Sequence, residues 1–114
     1  MMTNIDDMIT AFEVDVRFPD VNGMEHLDML LNRSELARAE QAGQLNDEQR
    51  LRLAEADRIL LEQLERFYVS IKQIADLESW RRQEDAPPEH WWWYLDVLAQ
   101  VPSWPVRERS HVPA

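Results

Sequence analysis

DEQRLRLAEADRILLEQLERFYVSIKQIADLESWRRQE, residues 47–84, runs for 38 residues without a glycine or a proline. Leu53, Asp57, Leu60, Leu64, Phe67, Ile71, Ile74 and Glu78 follow one another at steps of four and three, the seam of an amphipathic helix. Ala54, Leu61, Tyr68 and Ala75 add a second row on the same side. The opposite side carries charges four residues apart, such as Arg58 with Glu62 and Glu78 with Arg82, which mark a solvated face. Asn46 or Asp47 offers an N-cap, and Arg81 and Arg82 suit the negative end of the helix dipole. Pro87 biases Ala86 out of the helical region.

A single helix over 47–84 would be about 57 Å long, whereas a compact chain of this size has a diameter of roughly 35 Å. Either the helix breaks, with Val69-Ser70-Ile71 the weakest point by propensity, or it projects and buries its stripe against another chain. The apolar rows keep their phase throughout, which favours the second outcome. Asp57 is the one charged residue inside the seam among apolar neighbours. If it is buried, it needs Arg33, Arg38 or a partner's arginine.

The 114 residues, 45% of them hydrophobic, suit one domain over residues 1–101 followed by an extended or disordered tail over 102–114. The net charge is −10, and residues 1–32 hold seven acids against one arginine. That balance argues against nucleic acid and anionic membrane as partners and fits a basic protein. The absence of cysteine excludes disulfides and thiolate sites. No apolar run reaches the length of a membrane span, and the N-terminus lacks a leader pattern, so a cytoplasmic location is expected.

The remaining segments read as helices around that stretch. Residues 4–14 form a helix in one reading. In the other, Phe12, Val14, Val16 and Phe18 alternate as a strand over 9–18, although nothing in the sequence offers it a pairing strand. Pro19-Asp20-Val21-Asn22-Gly23 is a turn. A short helix is expected over 24–32, and a second over 34–42 with Ser34 as N-cap and Gly43 as terminator.

Pro87-Pro88 leads into a helix over residues 89–101. Trp91, Trp92, Trp93 and Tyr94 sweep about 300° of its circumference, and Leu95 and Leu98 extend the apolar surface. A helix apolar on every side is buried on every side, so these residues, with Trp80, are expected to meet a partner. The interface expected from the sequence therefore comprises Trp80, Trp91, Trp92, Trp93, Tyr94, Leu95 and Leu98, together with Leu60, Leu64, Phe67, Tyr68, Ile71 and Ile74.

The signals for chemistry are weak. Asp15, Asp20, Glu25 and Asp28 around Asn22-Gly23 could surround a calcium ion, but the spacing is not that of an EF-hand loop. His26, His90 and His111 lack the one-face spacing of a helical metal site. No serine sits in a glycine-framed elbow, and two glycines cannot form a phosphate-cradling loop. The expectation is an all-α protein with no enzymatic activity and no cofactor. It would be a homodimeric or partner-binding module of the antitoxin, immunity or regulator kind, the alternative being a binder of calcium or of a small ligand in the aromatic pocket.

Overall fold

The computed structural model describes residues 4–100 and is all-α. Its helices are α1 (Ile5–Asp15), α2 (Gly23–Gln41), α3 (Asp47–Glu62), α4 (Leu64–Lys72) and α5 (Leu77–Glu84). A 3₁₀ turn over Trp91–Tyr94 then runs into the short α6 (Leu95–Leu98). The expected tail over 102–114, with His111, lies outside the described residues.

α2 is the central element, touching α1, α4 and the 3₁₀ turn, while α3 packs on α1 and α5 on the 3₁₀ turn. Ile9, Phe12, Leu27, Leu30, Leu36, Leu53, Leu60, Phe67 and Ile71 are shut away from water in the shared core. Asn4, Asn22 and Asn46 cap the first three helices, each accepting from a backbone N–H three residues on. At Asn46 the Gln49 side chain reaches back to the cap's own N–H, completing a capping box.

The long helix is not continuous: it breaks twice, once at Gln63 and once just after Lys72, close to the Val69-Ser70-Ile71 stretch. The first is at Gln63, whose φ of −105° and ψ of 19° bend the chain although its N–H still reaches the carbonyls of Ile59 and Leu60. The bend has a packing cause. It lets Leu53 and Leu60 on one side, and Leu64, Phe67 and Ile71 on the other, all reach the core, which one straight rod longer than the globule cannot do. The second break follows Lys72, where Asp76 starts α5 by accepting from the Glu78 N–H and the Ser79 hydroxyl. Ser70 stays helical because its hydroxyl donates to Val21 O, 49 residues away, rather than competing for its own helix.

Three further expectations are corrected. No strand forms over 9–18: α1 buries Ile9 and Phe12 at helical spacing, its C-cap Val16 follows them inward, and Val14 and Phe18 stay outside. The pieces 24–32 and 34–42 are one helix, because Ser34 faces the core and caps nothing. Gly43 does end it, at φ 74°, with the N–H groups of Gly43 and Gln44 closing on the carbonyls of Glu40 and Ala39. Finally, the helix expected over 89–101 is not one helix over its described part, 89–100, since Pro87-Pro88 and the tight turn at Trp91–Tyr94 leave only α6 as α-helix there.

Candidate functional site

The aromatic segment folds inward. Residues of a 3₁₀ turn lie about 120° apart, and here Trp92 and Trp93 both enter the core while Trp91 and Tyr94 stay half-buried. The indole N–H groups of Trp92 and Trp93 donate to the same acceptor, Ser34 Oγ, at 2.9 and 2.8 Å. A serine on the inner face of α2 thus satisfies two buried donors that would otherwise be unpaired.

Around that hydroxyl the rings are layered. Trp93 lies parallel to Trp80, with ring centroids 6.3 Å apart. Trp92 stacks on His90 at 4.6 Å and also takes the Arg33 guanidinium 4.1 Å from its ring centroid. Arg33, buried on α2, clamps Asp57 of α3 through Nε and Nη2 at 2.8 and 2.9 Å. The charge in the seam therefore has its counter-ion within the chain, from the arginine named as one of its candidates. Burial raises the Asp57 carboxyl above the usual range, and Arg33 pulls it part of the way back. Arg33 Nη1 is buried without a hydrogen-bond partner.

Arg81 fixes the other end of the segment, donating to Trp93 O at 3.0 Å and to Asp96 at 2.5 Å while lying over the Tyr94 ring. Tyr94 donates its hydroxyl to Ala86 O.

Most of the expected interface residues are consequently interior. Leu60, Leu64, Phe67, Ile71, Trp92, Trp93 and Leu95 are buried; Trp80, Trp91, Tyr94, Leu98 and Tyr68 are half-buried, and Ile74 is 50% exposed. The buried members belong to the core that these helices share, while the half-buried ones and Ile74 keep part of their surface open to water.

A different surface stays open where the α1–α2 loop meets α4. Val21 is tied to Ser70, and Gly23 lies so close to Ile74 that a Cβ there would come within 2.7 Å of its side chain and of Ser70 O. Val69 and Ser70 line a shallow hollow of about 470 Å³ with Pro19, Asp20 and Gln73. Phe18, Met24, Val69 and Ile74 are each about half exposed. Asp15 is raised above the usual carboxylate range by burial and then by Glu25 and Asp28, which crowd it. Asp20 is held by Arg66. These are the carboxylates considered for calcium, but among the described residues no group of three potential ligands is placed to hold a metal ion. Nor, among those residues, is any helix long and apolar enough to cross a membrane.

Sequence reasoning missed this surface because its members come from three separate segments, and missed Ser34 because a serine at mid-helix reads as a boundary. Compared with protein-family models, curated proteins and solved structures, the chain matches none.

Proposed function

We propose that the chain is a cytoplasmic interaction module that docks a basic protein on the junction of the α1–α2 loop with α4, in the manner of a small antitoxin, immunity protein or regulator. One observation carries this reading: Phe18, Val21, Met24, Val69 and Ile74 stand exposed, and Asp15, at the end of α1 that leads into this surface, is partly buried and repelled by the carboxylates of Glu25 and Asp28. Like charges gathered against an apolar surface raise the energy of the free protein, and a partner presenting lysine or arginine around an apolar centre relieves both costs. A second copy of this chain brings the same carboxylates to the interface and is the poorer occupant, although a homodimer through another face is compatible with this arrangement.

The test is affinity capture from the source cell with the wild-type chain and with Met24→Glu/Val69→Glu, followed by binding of the purified captured protein over a salt series. A basic partner that the double variant loses, and whose affinity falls as salt rises, supports the reading. A partner held equally by both chains, or indifferent to salt, overturns it.

A further inference from the structure

Phe18 and Val21 of the docking face ride on the α1–α2 loop, and Met24 on the first turn of the helix that follows. The loop has no repeating structure of its own, so its position depends on what holds it. Arg66 of α4 pairs with Asp20, Ser70 Oγ donates to Val21 O, and Gly23 packs against Ile74 and Ser70 O. His26 of α2 adds a fourth contact, with Nε2 3.0 Å from Pro19 O.

The two polar contacts to α4 lie at the surface, whereas His26 is 1% exposed, with its ring edge-on to Phe67 at 4.6 Å. It is also the one member of the set whose ordinary pKa lies near neutrality. A carbonyl oxygen only accepts, so Nε2 carries the proton of the neutral ring. A second proton, taken at Nδ1, puts a full positive charge where water does not reach.

The charges that act on the ring are Glu25 of its own helix and Asp20 of the loop, and both favour the cation. From α4 it meets the uncharged Phe67, and Arg66 of that helix is engaged by Asp20. Burial outweighs the two carboxylates and holds the imidazole below 6.5. Asp15, at the end of α1, is the other group of this corner with a displaced titration, raised by burial and then by Glu25 and Asp28.

We propose that His26 is a proton-operated catch on the α1–α2 loop: in acid the charged ring leaves its site, the loop lifts from α4, and the apolar docking face comes apart. Lifting gives the imidazolium water and a closer approach to Glu25 and Asp20. What the catch controls rests on the docking reading, but the catch itself does not.

The experiment uses the full chain alone. Its outcome is therefore independent of any partner, and a failure to capture one would remove the docking reading while leaving this result standing. The His26 ring is titrated by NMR between about pH 7.5 and 5. Over the same range the nuclear Overhauser effect between the Gly23 Hα protons and the Ile74 side chain, which abut when the loop is seated, reports lifting, and far-UV circular dichroism reports the helices. The Overhauser signal should fade with the same midpoint as the His26 ring, below 6.5, while the helical signal stays constant. His26→Gln, whose amide can donate to Pro19 O but takes no charge, should keep the signal throughout, and Asp15→Asn should respond as the wild type does. The proposal is overturned if the signal survives charging of the ring, if it disappears only together with the helices, if His26→Gln loses it equally, or if Asp15→Asn abolishes the response. Should His26→Gln fail to fold, the agreement or disagreement of midpoints in the wild type decides.

Discussion

Arg33 and Asp57 join α2 to α3 through two parallel hydrogen bonds, Nε to Oδ1 and Nη2 to Oδ2, beneath the ring of Trp92. Removing one member leaves the other charged and buried. Arg33→Ala should therefore lower stability by about 3–5 kcal/mol, measured by urea unfolding. Arg33→Met/Asp57→Leu, which replaces both with apolar groups of similar size, should recover most of that loss. If Arg33→Ala lowers stability by less than about 1 kcal/mol, the range of an exposed pair, the clamp is not buried in solution.

Ser34→Ala takes the acceptor from two indoles at once. Each orphaned donor is worth about 1–3 kcal/mol, so the variant should be destabilised by more than an ordinary surface change. The indole N–H resonances of Trp92 and Trp93 should move together in its NMR spectrum. Movement of one without the other would refute the shared acceptor.

Gly23→Ala tests the contact between the α1–α2 loop and α4. The added methyl would sit 2.7 Å from both Ile74 Cγ1 and the carbonyl of Ser70. The side chain can yield but the backbone cannot. A loss of about 1–3 kcal/mol is expected, whereas the same change at an unconfined first-turn helix position is neutral or stabilising. Equal melting temperatures for the two proteins would show that the loop does not rest on α4.

His26 sets a pH dependence. Its ring is buried edge-on against Phe67, with Nε2 3.0 Å from Pro19 O, and burial holds the imidazole below the ordinary value of 6.5. The folded chain therefore binds fewer protons here than the unfolded chain, and the His26 contribution to stability falls as pH drops below 6.5. His90 acts in the same direction. Asp15, with its raised pKa, acts oppositely and adds stability as pH falls towards the carboxylate range. Comparison of wild type with His26→Gln isolates the first effect: urea midpoints between pH 7.5 and pH 5 should fall more steeply in the wild type. Parallel curves would count against a buried neutral imidazole.

The all-α class and the apolar identity of the core were legible from periodicity, because Leu53, Leu60, Phe67 and Ile71 repeat at helical steps and all lie inside. The need of Asp57 for a cation was legible as well, since an acid within an apolar seam requires one, but the choice of Arg33 over Arg38 or a partner's arginine was not, because Arg33 lies 24 residues away and only the packing of α2 on α3 brings it there. The bend at Gln63 was not. No residue there disfavours a helix strongly, and its cause is the position of α1 and α2 rather than local propensity. The tryptophan run misled for a related reason. A fully apolar circumference implied a second chain, yet α2 approaches one side of the turn and α5 the other, and the polar groups that complete the burial, Ser34 and Arg33, lie about 60 residues earlier.

The single hydroxyl shared by Trp92 and Trp93 also bears on the order of assembly. Ser34 is separated from its donors by 58 and 59 residues, so it has no indole to receive until the second half of the chain has emerged and closed a long loop. Contacts of high sequence separation form late because loop closure precedes their reward. The shared hydroxyl is thus a report on loop closure: the Trp92 and Trp93 indole signals take their native positions only when a loop of nearly 60 residues has closed.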